Sequence, residues 1–358
     1  MNAESSALMS LAAGVGSPQR PVDLSIVIVS FNTRQLTCEC LSSIYGSEPQ
    51  MQFEVLLFDN ASDDGSAEAV ERLFPEVRVI LSDTNVGFAA ANNVAVEAAL
   101  GNWVLLLNPD TQVLDKGITK LFHYAVTAED RAIYGGSSMK PNGLVDFRSC
   151  WAAPSLWGLT MRALGLSSMA RHSRLLNPEE MPEWDRDSVR HVGVITGCFL
   201  MLKKSVWREL DGFDVDYFMY SEETDLCFRA HKKGIARVFY PHARVLHIGG
   251  ASERSKPHKT IKLFRGKRLY FEKNFSKIAS AYASLVLCIH VLLRLVVHKT
   301  LSSLDQAHTE DFMHWSIVWR DRKHWNMPQV HMNRKLEYVF SGDDGKATSC
   351  SVRDSFTN

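Results

Sequence analysis

Four short apolar runs that alternate with helical patterns constrain the fold of this chain more than any other feature. The apolar runs are Leu24–Val29, Phe53–Phe58, Val77–Leu81 and Trp103–Leu107. The helical patterns between them are Thr33–Tyr45, Ala67–Phe74 and Phe88–Leu100. Such a rhythm is typical of right-handed crossovers that join parallel strands. We therefore predict an α/β fold with a mostly parallel central sheet flanked by helices.

Polar residues follow the end of each predicted strand. They are Ser30 and Asn32 after the first strand, Asp59, Ser62 and Asp64 after the second, Asn85 and Gly87 after the third, with Phe88 beside them and Asn93 on the next helix, and Asn108 and Asp110 after the fourth. Asn, Asp, Ser and Gly are each, taken alone, typical of a turn. Because the carboxyl ends of parallel strands share one edge of the sheet, we predict that they converge on a ligand. Asp59 can accept the N3–H of uracil or thymine, and backbone N–H groups near Gly65 and Gly87 can approach phosphate.

Asp110 is the strongest candidate for a metal ligand. The five apolar residues before Asn108 indicate a fully buried strand, and Pro109 cannot continue its hydrogen-bond ladder. An acid delivered to this edge is suited to hold a divalent cation against a nucleotide diphosphate. His247 ends a later strand and precedes Gly249, so it can complete the metal shell with Asp110. A carboxylate, an imidazole and phosphate oxygens suit Mg²⁺ or Mn²⁺.

A second group of acids opens the predicted helix from Glu222 to Lys233. Glu222 and Glu223 lie in its first turn, where acids also complement the helix dipole. Phe213, Tyr217, Phe218 and Tyr220 come just before them. An apolar approach of this kind predicts a cleft wall, in which a carboxylate has a raised pKa and can act as a general base.

Composition excludes several classes of protein. The formal net charge is zero, so global charge does not indicate a nucleic-acid partner. The seven cysteines lack metal-type spacing and are interpreted as reduced thiols. No GxGxxG follows the first strand, where the sequence is Ser30-Phe31-Asn32, which argues against a dinucleotide-binding dehydrogenase. The first 21 residues lack the features of a signal peptide and are predicted to be a disordered tail.

These blocks together resemble the family 2 glycosyltransferases, and within them the rhamnosyltransferase-like branch that builds bacterial cell-wall and O-antigen glycans. The matching blocks are Ser25–Asn32, Asp59–Ser66, Asn85–Asn93, Asn108–Thr111, Thr196-Gly197, Asp211–Asp214, Glu222–Arg229 and His247–Ser252. The resemblance covers residues 22–252. It implies a GT-A fold and an inverting transfer from a nucleoside-diphosphate sugar.

The resemblance also implies roles for single residues. Asp59 would recognise the pyrimidine base, Asp110 would contact the metal in an Asn-Pro-Asp version of Asp-x-Asp, and His247 would be the late metal or diphosphate ligand. Glu223 falls where the family's acceptor-activating acid lies, three residues before Leu226, although that position is commonly Asp. The assignment of the base is therefore open between Glu223 and Glu222.

The C-terminal region, 253–340, is predicted to be helical and to associate with a membrane, and 341–358 to be a disordered tail. Nine basic residues between Arg254 and Lys277 precede the apolar stretch Ile278–Val297. We favour a helix in the plane of an anionic membrane surface over a span, since His290 and Arg294 interrupt the stretch; a helix packed on protein is the third alternative. This predicts a cytoplasmic enzyme, peripheral on the inner face of the plasma membrane, with a glycan or polyprenyl-linked acceptor.

Two other functions compete with this interpretation. A non-catalytic sugar-nucleotide-binding scaffold at the membrane would not need Asp110, Glu223 and His247. A nucleotidyltransferase would need a Gly-rich, basic loop after the first strand, which Ser30-Phe31-Asn32 is not. The donor sugar, the linkage and the oligomeric state, including a homo-oligomer, stay open at this stage.

Overall fold

The computed structural model describes residues 22–47, 52–249, 255–303, 305–326, 334–341 and 348–356, the last two ranges as backbone only. The predicted tail over 1–21 lies outside the described residues, as does the Gly250–Ser252 end of the last motif block.

Strands and helices alternate through the first third of the chain, as predicted. The strands are β1 (Leu24–Ser30), β2 (Phe53–Asp59), β3 (Arg78–Ser82), β4 (Trp103–Leu107), β5 (Thr111–Leu114), β6 (Ala132–Met139), β7 (Cys150–Trp151), β8 (Arg190–His191), β9 (Val194–Ile195), β10 (Phe199–Lys203), β11 (Ala236–His247), β12 (Arg334–Ser341) and β13 (Thr348–Phe356). The helices are α1 (Arg34–Ser47), α2 (Ser66–Leu73), α3 (Phe88–Ala98), α4 (Gly117–Thr127), α5 (Leu156–Ala163), α6 (Leu166–Met169), α7 (Lys204–Glu209), α8 (Glu222–Lys232), α9 (Lys256–Asn274), α10 (Lys277–Leu301), α11 (Gln306–Arg320) and α12 (Arg322–Asn326).

The central sheet has the strand order β12-β13-β3-β2-β1-β4-β10-β6-β11-β5, with β8 paired to β11. Strands β3, β2, β1 and β4 are mutually parallel, so their carboxyl ends lie at one edge. Strand β10 runs antiparallel between β4 and β6, and β5 pairs antiparallel with β11. The predicted mostly parallel sheet is confirmed, with antiparallel strands added on the side of β4.

Alternating side chains of the strands build a hydrophobic core on each face of the sheet. In β1, Val27 and Val29 belong to one core, whereas Ile26 and Ile28 belong to the other. Helices α3 and α8 pack over the first face, and α1 and α4 pack over the second. This two-sided burial explains why the strands read as continuous apolar runs in the sequence.

A third hydrophobic core joins the C-terminal helices to the rest of the fold. It brings together residues of α5, α9, α10, α11 and α12 with Tyr217, which precedes α8. We expected the basic residues of α9 to face a membrane, but two of them contact other parts of the protein. Arg268 is buried and donates to Glu272 and Ser280, and Lys273 pairs with Asp214 and Asp216. The domain boundary near 252 stays a prediction.

The end of the chain differs from the prediction. We expected helix up to 340 and disorder over 341–358, whereas Arg334–Ser341 and Thr348–Phe356 form an antiparallel pair of strands, and β13 adds to β3 in parallel. The sequence pattern accounts for β12, because Leu336, Tyr338 and Phe340 recur with the period of two that strands require.

Candidate active site at the carboxyl edge of the sheet

Asp110 and His247 meet where β4 ends. Strand β4 stops at Leu107, the chain turns at Pro109-Asp110, and β5 then pairs antiparallel with β11 so that Thr111 lies opposite His247. This register places His247 Nε2 3.3 Å from Asp110 Oδ1. The predicted encounter of the two side chains is thus present in the structure.

The electrostatics of this pair favour a charged imidazole beside a carboxylate. Burial opposes protonation of His247, but Cys198 and Asp110 outweigh it and raise the pKa of the imidazole to about 10. Burial likewise opposes ionisation of Asp110, yet His247 holds the pKa of the carboxyl below its usual value. The contact of Cys198 with His247 was not predicted, because β10 reaches β4 only through long-range antiparallel pairing.

The residues at this turn fit a divalent cation. Asp110 offers a carboxylate and His247 an imidazole, which together with phosphate oxygens form a donor set that Mg²⁺ and Mn²⁺ accept. Beside them, Asn108 Oδ1 is buried and has no hydrogen-bond partner among the described residues. An orphaned buried acceptor at this place is consistent with a ligand that occupies the turn.

Asp59 presents a second unpartnered acceptor at the end of β2. Its Oδ1 accepts a hydrogen bond from the backbone N–H of Ser62 at 2.8 Å, which orients the carboxylate. Its Oδ2 is buried and has no partner within the described part of the chain. Burial raises the pKa of Asp59. Because β1 pairs with β2 so that Ser30 lies opposite Asp59, this carboxylate lies at the same edge as Asn108 and Asp110.

Other predicted ligand residues are engaged within the protein. Ser30 Oγ lies 3.0 Å from the hydroxyl of Thr33, and Asp64 accepts the N–H groups of Arg34 and Ser66 at the starts of α1 and α2. Asn32 Oδ1 accepts from Asp63 N, and its own N–H donates to Ser62 Oγ. Asn85 Oδ1 accepts from Asn60 and from Gly87 N. These residues shape the loops at the edge, and their contact with a ligand stays a prediction.

The loop before α8, residues 213–221, is clamped to the start of α3. Asn93 both donates to Phe213 O and accepts from Phe213 N, at 2.8 and 2.9 Å. Phe88 N donates to Phe218 O at 2.7 Å. A Cβ on Gly87 would lie 2.5 Å from that carbonyl, and its φ is +86°, so glycine is required there. The clamp places the aromatic loop over the third strand end.

Helix α8 presents its two adjacent glutamates differently. Glu222 is buried, and its Oε2 has no hydrogen-bond partner among the described residues. Burial, together with the charge of Glu223, raises the pKa of Glu222 well above its usual range. Glu223 is partly exposed, and burial raises its pKa to about 7. Tyr220 and Ser221 precede them with φ of 73° each, a left-handed pair that turns the chain sharply into the helix.

Gly197 connects Glu223 with the sheet edge. A Cβ built on Gly197 would lie 3.6 Å from the Cβ of Glu223 and 3.7 Å from Cε1 of Phe88. The next residue, Cys198, contacts His247, and its carbonyl accepts a hydrogen bond from Asn108 N at 3.1 Å. Glu223 therefore lies beside Gly197, one residue before the cysteine that contacts His247.

Helix α9 braces α8 from the side opposite the sheet, which the sequence pattern did not reveal. Asn274 donates to Asp225 Oδ1 at 2.9 Å, while Arg229 donates to Asp225 Oδ2 at 2.6 Å as the predicted i,i+4 pair. A Cβ on Gly266 would lie 2.4 Å from the carbonyl of Tyr220, so α9 also touches the strained turn. The C-terminal region thus supports the helix that carries Glu223.

Comparison with known proteins gives one family and several relatives. Residues 25–209 match Glycosyl transferase family 2. Over 239 residues the chain is 30% identical to an N-acetylglucosaminyl-diphospho-decaprenol L-rhamnosyltransferase of Mycobacterium tuberculosis, covering 60% of this chain and 75% of the relative. It is 27% identical over 213 residues to a rhamnosyltransferase of Escherichia coli strain K12, covering 55% of this chain and 76% of that protein.

Among solved structures, the chain resembles a mannosyltransferase from Pyrobaculum calidifontis in complex with GDP-Man and Mn²⁺. The TM-score is 0.54 at 16% sequence identity, with 87% of this chain and 90% of the other covered. This likeness confirms the GT-A fold that the motif blocks implied.

Proposed function

This chain belongs to glycosyl transferase family 2, and from that premise we propose that it moves rhamnose from a dTDP- or UDP-linked donor to a hydroxyl of a lipid-linked cell-envelope glycan. It is a glycosyltransferase, and its activity is sugar transfer from a nucleotide sugar. The sugar, the nucleotide and the acceptor belong to the proposal, as do the residues assigned to each step.

The observation that carries the proposal is the set of acceptors gathered at one edge of the sheet. The Asp110–His247 pair lies beside Asn108 Oδ1, and Asp59 Oδ2 lies at the same edge, at the end of β2, with β1 between β2 and β4. Leaving buried acceptors unpaired costs about 1–3 kcal/mol each, so a ligand that pairs them gains that free energy back. Asp59 would accept the N3–H of the pyrimidine, and the Asp110 turn would face the diphosphate.

Asp110 and His247 would hold Mg²⁺ or Mn²⁺. When bound, this cation would neutralise the charge that develops on the departing diphosphate. The solved mannosyltransferase that shares the fold was obtained with Mn²⁺, which supports a divalent ion of this kind. Deprotonation of the imidazole would accompany its ligation, because only a neutral histidine nitrogen binds a metal.

Glu223 would remove the proton from the acceptor hydroxyl. It is the more exposed of the two glutamates, it lies beside Gly197, and its raised pKa matches a general base that works near neutral pH. The acceptor oxygen then attacks the anomeric carbon while the bond to the diphosphate breaks, with inversion and without a covalent enzyme intermediate. Glu222, whose pKa is raised by burial and by the charge of Glu223, would support the turn rather than take the proton.

The choice of rhamnose and of a lipid-linked acceptor rests on similarity. Both relatives reported above are rhamnosyltransferases by name, and the first acts on N-acetylglucosaminyl-diphospho-decaprenol. The test is turnover of the purified chain with dTDP-rhamnose and with a panel of UDP- and dTDP-sugars, using N-acetylglucosaminyl-diphospho-lipid as acceptor. We expect dTDP- or UDP-rhamnose to be the preferred donor. Donor binding without any transfer would instead support the non-catalytic scaffold.

We also propose that the protein binds a membrane, with α10 lying in the plane of an anionic surface. Among the described residues, α10 is the one helix long and apolar enough to span. Its Ala283, Val286, Leu287 and Val291 are buried in the third core, so a span would expose that core. The opposite face is an exposed apolar stripe bounded by Lys277 and Lys299, and it consists of Ile278, Tyr282, Leu285, Leu292 and Val296. Such a face with cationic ends suits the membrane interface.

Replacing Leu285 and Val296 by glutamate is expected to release the protein from vesicles that contain anionic lipid. Each apolar side chain contributes about 1.5 kcal/mol when buried, so the double change lowers partitioning about a hundredfold. Cosedimentation with vesicles measures it. The matched control is Leu144→Glu, because Leu144 is 62% exposed but lies in a loop after β6. Equal binding by the double variant and the wild type would place the anchor elsewhere.

A further inference from the structure

We propose that the hairpin of α10 and α11 binds a divalent transition-metal ion, with Zn²⁺ as the preferred occupant, through His298, His308 and Asp311. These residues lie on elements other than those that carry the candidate active site. His298 is in the last turn of α10, and His308 and Asp311 are one turn apart on α11, so they share a face of that helix.

The ligand atoms already have the spacing of a metal site. His298 Nδ1 lies 3.2 Å from His308 Nδ1 and 3.6 Å from Asp311 Oδ2. One atom from each of the three residues falls within 4.8 Å of the others. Two ligands at 2.0–2.1 Å from a tetrahedral ion are about 3.3 Å apart. The side chain of Asp311 is 56% exposed, so it can close the remaining gap without moving either helix.

The donor types select among metals. Two imidazole nitrogens and one carboxylate oxygen are the ligands of open zinc sites, in which water takes the fourth position. Hard ions such as Ca²⁺ and Mg²⁺ prefer oxygen ligands throughout, so they fit this set poorly. The cluster is partly exposed, which leaves room for water, since the side chain of His298 is 13% exposed and that of His308 is 30% exposed.

Asp305 lies at ion-pair distance from His308, on the side where a metal-bound histidine usually has an outer partner. Its Oδ2 lies 3.9 Å from His308 Nε2, the ring nitrogen that faces away from the cluster, and its Oδ1 accepts the backbone N–H of His308 at 2.8 Å. On metal binding, a shift of Asp305 Oδ2 into hydrogen-bond distance of Nε2 would orient the ring and raise its basicity. The ion would tie the end of α10 to the start of α11 and so fix the hairpin that packs into the third core.

The test uses the full chain after treatment with EDTA. Zn²⁺ is titrated against a chromogenic chelator, and Co²⁺ is titrated while the visible spectrum is recorded. We expect a site that persists in Asp110→Asn, which removes the active-site acid. In the His298→Ala/His308→Ala double variant the affinity should fall at least a hundredfold, and in Asp305→Asn about tenfold, the usual effect of losing an outer partner.

Two further variants keep the test decisive. Asp311→Asn changes an exposed side chain and should weaken Zn²⁺ without altering the circular dichroism of the metal-free protein. His324→Ala, an exposed histidine of α12, should bind like the wild type. Wild-type affinity in the double variant, loss of all metal in Asp110→Asn, or a thiolate-to-cobalt charge-transfer band would each overturn the proposal.

Discussion

Glu223→Gln is expected to bind the nucleotide sugar almost normally and to lose sugar transfer by about 10²–10⁴-fold, the usual contribution of a positioned general base. Glutamine keeps the size and the hydrogen-bonding atoms of the side chain but cannot take a proton. The measurement is donor affinity by calorimetry beside single-turnover transfer. Glu223→Asp should keep part of the activity, because it retains the carboxylate with a shorter reach.

Glu222→Gln is the matched control. Glu222 is buried, and burial raises its pKa and so favours the uncharged form, so an amide of the same shape should change transfer little. Loss of sugar transfer in Glu222→Gln, together with normal transfer in Glu223→Gln, would show that Glu222 is the base.

The pH dependence of the wild type follows from the same assignment. Burial raises the pKa of Glu223 to about 7, and the base must be deprotonated to act. Transfer should therefore rise with pH through about 7 and fall about tenfold for each unit below it. The residual activity of Glu223→Gln should not show this decrease below pH 7.

Asp110→Asn should reduce transfer about a thousandfold and make the remaining activity insensitive to EDTA. Stabilisation of the departing diphosphate by a metal is worth several kcal/mol, and about 4 kcal/mol corresponds to a thousandfold in rate. Turnover in defined concentrations of Mg²⁺ and Mn²⁺, with and without EDTA, measures both effects. Full activity of the wild type in excess EDTA would contradict the proposed metal.

Asp83→Ala is the control for that experiment. Asp83 is exposed and follows β3, which ends at the same edge of the sheet but is separated from β4 by β1 and β2, so its loss should leave turnover and metal dependence unchanged. A comparable loss in Asp83→Ala would indicate that the general charge of the edge, rather than a specific ligand, supports the activity.

The sheet and its edge could be predicted because local pattern determines them. Apolar runs such as Trp103–Leu107 indicate buried strands, and parallel strands bring Asp59 and Asp110 to one edge whatever the later packing. The encounter of His247 with Asp110 was predictable for the same reason, as both end strands. The structure adds the register of β11 on β5, which fixes the distance between them.

The supports of the site could not be predicted, since they join residues far apart in the sequence. Asn93 reads as a ligand residue after β3, yet both of its amide atoms bond Phe213. Nothing local in α9 indicates that Asn274 reaches Asp225, because the contact depends on how the third core packs. The basic run of α9 misled for the same reason, because the acidic partners of Lys273, which are Asp214 and Asp216, lie far from it in the sequence.

The stereochemistry of the first product tests the central claim most directly. A single carboxylate base at Glu223 and no covalent intermediate require direct displacement at the anomeric carbon. Proton NMR of the earliest product measures the configuration of its new anomeric centre, which is compared with the known configuration of the donor. We expect inversion in the wild type, whereas retention of configuration would contradict direct displacement with Glu223 as the base.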